Sequence, residues 1–221
     1  PKKEWKGVQG KTLADSKPDF IGQPKAPEGA PNVLVIMLDD AGYSSATSYG
    51  GVMKTPTFDR LGDEGIRYTH MSVAAVCSPT RASLLTGKYP ATVGVTDWID
   101  WANWVHPARG KLVDVPYIDH LPLEETSLAS ALNEGGYHTW HIGKWHLGLR
   151  YPKKTGAASG EIAGFTELET HIDFAQDLTG GPLDHGFDYF FGSAGCTSSD
   201  PPYVFIRNRR AVAIPTRISP E

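Results

Sequence analysis

Six consecutive apolar residues, Val33-Leu34-Val35-Ile36-Met37-Leu38, stop abruptly at Asp39-Asp40-Ala41-Gly42. An unbroken apolar run of this length predicts a strand buried on both faces, as in a parallel sheet. Thr55 is placed to cap a helix with Pro56 at its first position, running to about Gly65. Ile66 to Ser72 then returns as a strand. A further helix begins near Cys77, with Pro79 in its first turn, continues through Ala82-Ser83-Leu84-Leu85 and ends at Gly87. Thr126 or Ser127 starts another helix that runs through Glu134, and Gly135-Gly136 stops it. Tyr137 to Ile142 reads as a strand, and Gly186 to Gly192 as a core strand between turns. Strands alternating with helices predict an α/β sandwich with a mainly parallel, mixed β-sheet flanked by helices.

Residues 1–31 break this pattern. They are rich in Lys, Pro and Gly, without periodicity, and predict an extended arm. The remaining span, 32–221, reads as one unit, since 221 residues suit one large domain better than two. At 40% hydrophobic residues the chain can build a sizeable core. A net charge of −4 argues against nucleic acid or an anionic membrane surface as partner. No apolar run is long enough to span a bilayer, and no signal peptide is visible. Two cysteines, Cys77 and Cys196, are too few for a disulfide framework.

Three segments hold chemistry. In Cys77-Ser78-Pro79-Thr80-Arg81-Ala82-Ser83-Leu84-Leu85-Thr86-Gly87, a cysteine lies at a helix N-terminus, where free N–H groups and the helix dipole favour an anion. Arg81 adds a permanent positive charge one turn in. Asp39 and Asp40 lie at the carboxyl end of the first expected strand, where open α/β sheets gather ligands. Adjacent carboxylates on a regular strand point to opposite faces. They reach one ion only if the backbone turns irregular, which Ala41-Gly42 permits. Oxygen-only donors of this kind suit Ca²⁺ or Mg²⁺, although Asp-Asp-x-Gly alone also reads as a solvated turn. In Gly136-Tyr137-His138-Thr139-Trp140-His141-Ile142-Gly143-Lys144-Trp145-His146-Leu147-Gly148, Lys144 and His146 stand two apart, on one face of an extended chain. His138 and His141, inside the expected strand, read as hydrogen-bonded core histidines.

The first segment resembles the type I sulfatase signature Cys-x-Pro-x-Arg with its Leu-Thr-Gly tail, and the third resembles the second signature of that family through its Gly-Lys-Trp-His-Leu-Gly core. Gly186-Phe187-Asp188-Tyr189-Phe190-Phe191-Gly192 is also similar to sulfatases. The resemblance covers about residues 32 to 206 and implies an alkaline-phosphatase-like fold. It implies hydrolysis of sulfate esters, carbohydrate or aryl, by a formylglycine nucleophile that a formylglycine-generating enzyme makes from Cys77. It implies a divalent metal, Ca²⁺ with Mg²⁺ or Mn²⁺ as alternatives, held by Asp39, Asp40 and modified Cys77. It further implies that Arg81 and Lys144 offset charge on the sulfate and that His146 protonates the leaving oxygen. A periplasmic, secreted or lysosome-like setting goes with that family.

Other readings stay open. A phosphonate or phosphodiester hydrolase of the same superfamily can share the nucleophile motif, and a non-catalytic fragment could bind sulfated glycans. The chain departs from the family after His146: there is no match to the later Asp-Asn pair, nor to the further His and Lys. The expectation is therefore the N-terminal part of a sulfatase catalytic domain. Specificity is expected in loops 94–120 and 150–182. Asp97 to Trp104 carries three tryptophans whose faces suit sugar rings, as readily as they suit a core. His185 reads as structural, and Ser198-Ser199-Asp200-Pro201-Pro202 as a loop without assigned chemistry.

Overall fold

A computed structural model of the chain describes residues 6–12, 14–17, 26–99, 117–156, 171–197 and 200–215. Four helices and four strands occur among them: α1 (Pro56–Glu64), α2 (Cys77–Thr86), α3 (Pro90–Val93), α4 (Leu128–Glu134), β1 (Trp140–Lys144), β2 (Tyr189–Ser193), β3 (Ile206–Arg207) and β4 (Arg210–Ala211). Short 3₁₀ turns lie at Tyr43–Ser45, Thr47–Tyr49 and Pro182–His185.

The strands form one mixed sheet in the order β1-β2-β3-β4. β1 and β2 are parallel, pairing Trp140 with Tyr189 through Lys144 with Ser193. The other two pairings are antiparallel. Parallel neighbours need a long crossover, and here residues 145–188 supply it. The mixed α/β class expected from the alternation is present, although parallel pairing among the described residues is confined to β1 and β2.

α2 starts and stops where its sequence directs. Val76 is its N-cap, Pro79 sits in the first turn, and Gly87 closes it in a left-handed conformation (φ 68°) that glycine adopts without steric cost. Ser127 caps α4 through a reciprocal capping box with Ser130. The same Ser127 hydroxyl donates to the His185 carbonyl, tying α4 to the turn before β2.

The core is formed by Ala82, Val93, Val95, Ile99, Leu121, Trp145, Leu147, Phe190 and Ile206, among others. It draws Ala82 from α2, Phe190 from β2 and Ile206 from β3. No described residue before Ser78 is buried. Two expected strands are therefore corrected. Val33–Leu38 is not a buried strand: Leu34 is 83% exposed, and no backbone hydrogen bond joins the run to a neighbour among the described residues. Ile66–Ser72 likewise has no ladder partner there. An apolar run becomes a central strand only when other strands satisfy its N–H and C=O groups and layers cover both faces. The strand expected from Tyr137 starts instead at Trp140, leaving His138 exposed, 3.6 Å from Asp188. His138 is not a core histidine.

Gly143 and Gly192 face each other in the β1–β2 register. A Cβ on Gly192 would lie 1.8 Å from the Gly143 oxygen, a contact that the flanking sheet cannot absorb. Gly192→Ala is expected to destabilise the protein by roughly 1–3 kcal/mol, read as a lowered melting temperature. An unchanged melt would show that β1 and β2 can separate freely.

Candidate active site

Cys77 is the first residue of α2, so its side chain leaves from the end where backbone N–H groups have no helical partner. Buried Ser78, Pro79 and Ala82 seat that turn, and the Ser78 hydroxyl accepts the N–H of buried Ile99 at 3.0 Å. Arg81 projects from the next turn toward β1. Its Nη1 donates to the Lys144 carbonyl at 2.5 Å. His141 Nε2 lies 3.1 Å from the same carbonyl; a carbonyl only accepts, so this nitrogen donates. Two donors thus fix the backbone of Lys144 at the end of β1.

The Lys144 ammonium is the hub of the cluster. Nζ lies 3.2 and 3.1 Å from the two Asp39 oxygens, 3.1 Å from Cys77 Sγ and 2.8 Å from Cys196 Sγ. Burial works against its charge, but the hydrogen bonds to Cys196, Cys77 and Asp39 outweigh that and hold its pKa above the usual lysine value. Burial would raise Asp39, yet the bond and charge of Lys144, with Arg81 at 4.0 Å, keep its carboxyl below the ordinary range.

Asp40 has φ 51°, a left-handed conformation uncommon for a residue with a side chain. This is the irregular turn that two adjacent carboxylates need in order to converge. Asp39, Asp40 and Cys77 each bring a donor atom within 4.8 Å of the others. Two carboxylates with a third donor fit a hard divalent cation once residue 77 presents oxygen in place of sulfur.

His146 does not continue an extended strand beside Lys144. Its φ is 55°, and its N–H donates to the Ala194 carbonyl at 2.7 Å. The ring is 2% exposed and meets Trp98 edge-on at 5.6 Å. Nε2 donates to the Ile99 carbonyl at 2.9 Å, which leaves the lone pair of the neutral ring on Nδ1, buried without a hydrogen-bond partner. Burial first, and then the Lys144 charge, push its pKa down to about 4.

Such a histidine binds a proton more readily in the unfolded chain, near 6.5, than in the folded one. Its contribution to stability is complete above about pH 6.5 and is lost as the pH falls toward 4. The loss approaches roughly 3 kcal/mol. Urea unfolding across that range should show it, and His146→Gln should flatten the slope. An identical slope in the variant would refute the neutral, buried ring.

The structure thus brings together Cys77, Asp39, Asp40, Arg81, Lys144 and His146. It also recruits two residues without a sequence signal. Cys196, left without a role by the sequence, enters through Lys144. Buried Asp200 accepts the Cys196 N–H at 2.7 Å and lies 3.6 Å from His146 Nε2. Asp200 therefore supports the cluster. His185 is buried against Trp145, as a structural histidine. Trp101, Trp104, Ser198 and Ser199 lie outside the described residues, as do 100–116 of loop 94–120 and 157–170 of loop 150–182.

Known proteins of similar sequence fall in one family. The sulfatase family model matches residues 31–207. Human steryl-sulfatase is 33% identical over 164 residues, covering 73% of this chain and 23% of the relative. Mouse steryl-sulfatase is 35% identical over 191 residues, covering 84% and 26%. Human arylsulfatase D is 33% identical over 183 residues, covering 79% and 26%. The chain thus spans about a quarter of the length of these curated relatives.

Among solved structures, one from work on the metabolism of multiple glycosaminoglycans by Bacteroides thetaiotaomicron superposes with a TM-score of 0.56 at 30% identity, covering 79% of this chain and 30% of that one. A Bacteroides fragilis protein described as a sulfatase shares the fold, with a TM-score of 0.52 at 23% identity, covering 86% and 39%. With the Cys77 helix, the Asp39-Asp40 turn and the Lys144 strand end meeting at one point, and with the match running from 31 to 207, the chain belongs to the sulfatase family.

Proposed function

We propose that this chain is the nucleophile-bearing, N-terminal part of a catalytic domain that hydrolyses sulfate esters of carbohydrates or aryl alcohols, preceded by an arm at residues 1–31. The observation that carries this reading is the convergence of Cys77, at a helix N-terminus, with two carboxylates and two cations. The cations suit a sulfate group, and the carboxylates suit the ion that would neutralise it.

Asp39 and Asp40, with residue 77, would hold a divalent cation, Ca²⁺ by the hardness of the donors, and it would supply Lewis-acid polarisation of the sulfuryl oxygens. Formylglycine at position 77 would supply a hydrated aldehyde, a nucleophile that can expel sulfate by reverting to a carbonyl. Its formation from Cys77 requires a formylglycine-generating enzyme as partner.

The chain's own residues have distinct tasks. Arg81 and Lys144 place positive charge where sulfuryl oxygens would gather, a preorganised arrangement that needs no reorientation during reaction. The bond from Arg81 to the Lys144 carbonyl locks the two cations together. His146 has its Nε2 proton committed to Ile99, so Nδ1 can only accept. That orientation supports proton acceptance near residue 77 over donation to a leaving oxygen. His146→Ala should then slow substrates with good and poor leaving groups by similar factors; a steeper loss for poor leaving groups would restore the donor role.

No helix among the described residues is long and apolar enough to cross a membrane. A periplasmic, secreted or lysosome-like setting is our proposal from the family alone. The reading as a whole is tested by the mass of the Cys77 peptide from the full-length protein, together with turnover of matched aryl sulfate and phosphodiester substrates. Conversion of the thiol with dominant sulfate release is expected. Dominant diester cleavage would assign the chain to a diesterase. An unmodified thiol with retained binding of sulfated glycan would make it a binding module.

A further inference from the structure

We infer that, while residue 77 is still a thiol, Cys77, Cys196 and His146 form a site for a soft divalent cation of the zinc type. Each offers one ligand atom, and these atoms lie within 4.8 Å of one another. Two sulfurs on a tetrahedral zinc, with bonds of about 2.3 Å, stand about 3.8 Å apart. Side-chain adjustment of about an ångström or less therefore closes the set.

Three further features support it. His146 is 2% exposed and its Nδ1 has no hydrogen-bond partner, an arrangement costly for a buried lone pair unless something occupies it. The other ring nitrogen is fixed by the Ile99 carbonyl, with Asp200 at 3.6 Å. Metal-bound histidines are oriented by carbonyl and carboxylate partners of this kind. Finally, the point between Cys77 Sγ, Cys196 Sγ and Asp39 already attracts a cation, since the Lys144 ammonium sits there.

Two thiolates and an imidazole select zinc over calcium. The Asp39-Asp40-Cys77 set has the opposite preference. The two sets share residue 77, so they cannot be filled together, and replacing its sulfur by oxygen dismantles the soft site. On binding, both thiols release their protons to solvent, and the Lys144 ammonium retracts onto Asp39. An ion held there withholds the Cys77 sulfur from other chemistry. The inference is independent of the sulfate-ester reading, because it concerns the thiol form, whose readout is metal and not turnover.

The full-length protein, isolated with residue 77 unconverted, reduced and stripped of metal, is titrated with Co²⁺ and then Zn²⁺. Thiolate-to-cobalt charge-transfer absorption is expected at one ion per chain, and Zn²⁺ should bleach it. Cys196→Ser should halve the charge-transfer intensity per bound ion and weaken zinc at least about tenfold. In the unsubstituted protein, zinc should slow alkylation of both the Cys77 and Cys196 peptides, a readout that needs no variant to fold. Absence of thiolate charge transfer would overturn the site. So would unchanged intensity in a folded Cys196→Ser variant, or alkylation rates indifferent to zinc.

Discussion

Cys77→Ala in the full-length enzyme is expected to lower turnover of an aryl sulfate by at least about 10³-fold, as removal of a nucleophile does elsewhere. The melting temperature should barely move. The reason is the seat of the side chain. Cys77 is only partly buried, and the turn that carries it is held by Ser78, Pro79 and Ala82, which the substitution leaves intact. Alanine leaves no thiol to convert to the aldehyde and removes the third donor beside Asp39 and Asp40, while α2 keeps its start and its Gly87 stop. Cys77→Ser separates nucleophilicity from release: a serine hydroxyl can attack but has no carbonyl to revert to, so a stoichiometric sulfate ester on residue 77 is expected, without further turnover. Initial rates and intact mass check both variants. Sustained turnover by the alanine variant would remove Cys77 from the mechanism.

Lys144→Met is expected to cost about 10²–10³ in kcat, the scale for losing one preorganised charge at a reacting centre. Methionine keeps much of the stem, and β1 retains its pairing with β2, so the loss should appear in rate and not in folding. The same substitution removes the main hydrogen bond and charge that hold the Asp39 pKa down, which should relax upward. Lys144→Arg is not expected to rescue. Nζ fits among Asp39, Cys77 and Cys196 at 2.8 to 3.2 Å, a space for a compact ammonium and not for a planar guanidinium. Restoration of rate by arginine would mean that charge alone matters there, and unchanged kcat in Lys144→Met would remove the lysine from the site.

Much of the chemistry was legible because it is local. Pro79 and Gly87 mark the ends of the α2 region through backbone constraints of their own, and Ser127 caps α4 with its own hydroxyl. Cys77 and Arg81 follow from one segment, and Lys144 ends β1 after the Trp140-His141 run. The apolar run at 33–38 misled for the opposite reason. Its hydrophobicity records a demand for partners on both edges and both faces, and no local pattern says whether those partners are met. A strand starting at Tyr137 takes in His138, whereas β1 begins three residues later, because apolar character at a strand end does not say where ladder pairing starts.

The sequence by itself determined the family, the mixed α/β class and most of the side chains that enter the cluster, because short-range sterics, capping and the identity of donor atoms are properties of neighbouring residues. Tertiary structure alone decided how those groups meet. The φ of Asp40 turned two adjacent carboxylates toward one point. The β1–β2 pairing set the backbone of Lys144 beside Ser193, and with it carried Cys196 and Asp200 to the cluster. The Ile99 carbonyl chose which nitrogen of His146 keeps its proton. Each of these depends on contacts between residues tens of positions apart, whose geometry is set by the packing of the whole sheet and helix layer and is encoded in no single segment.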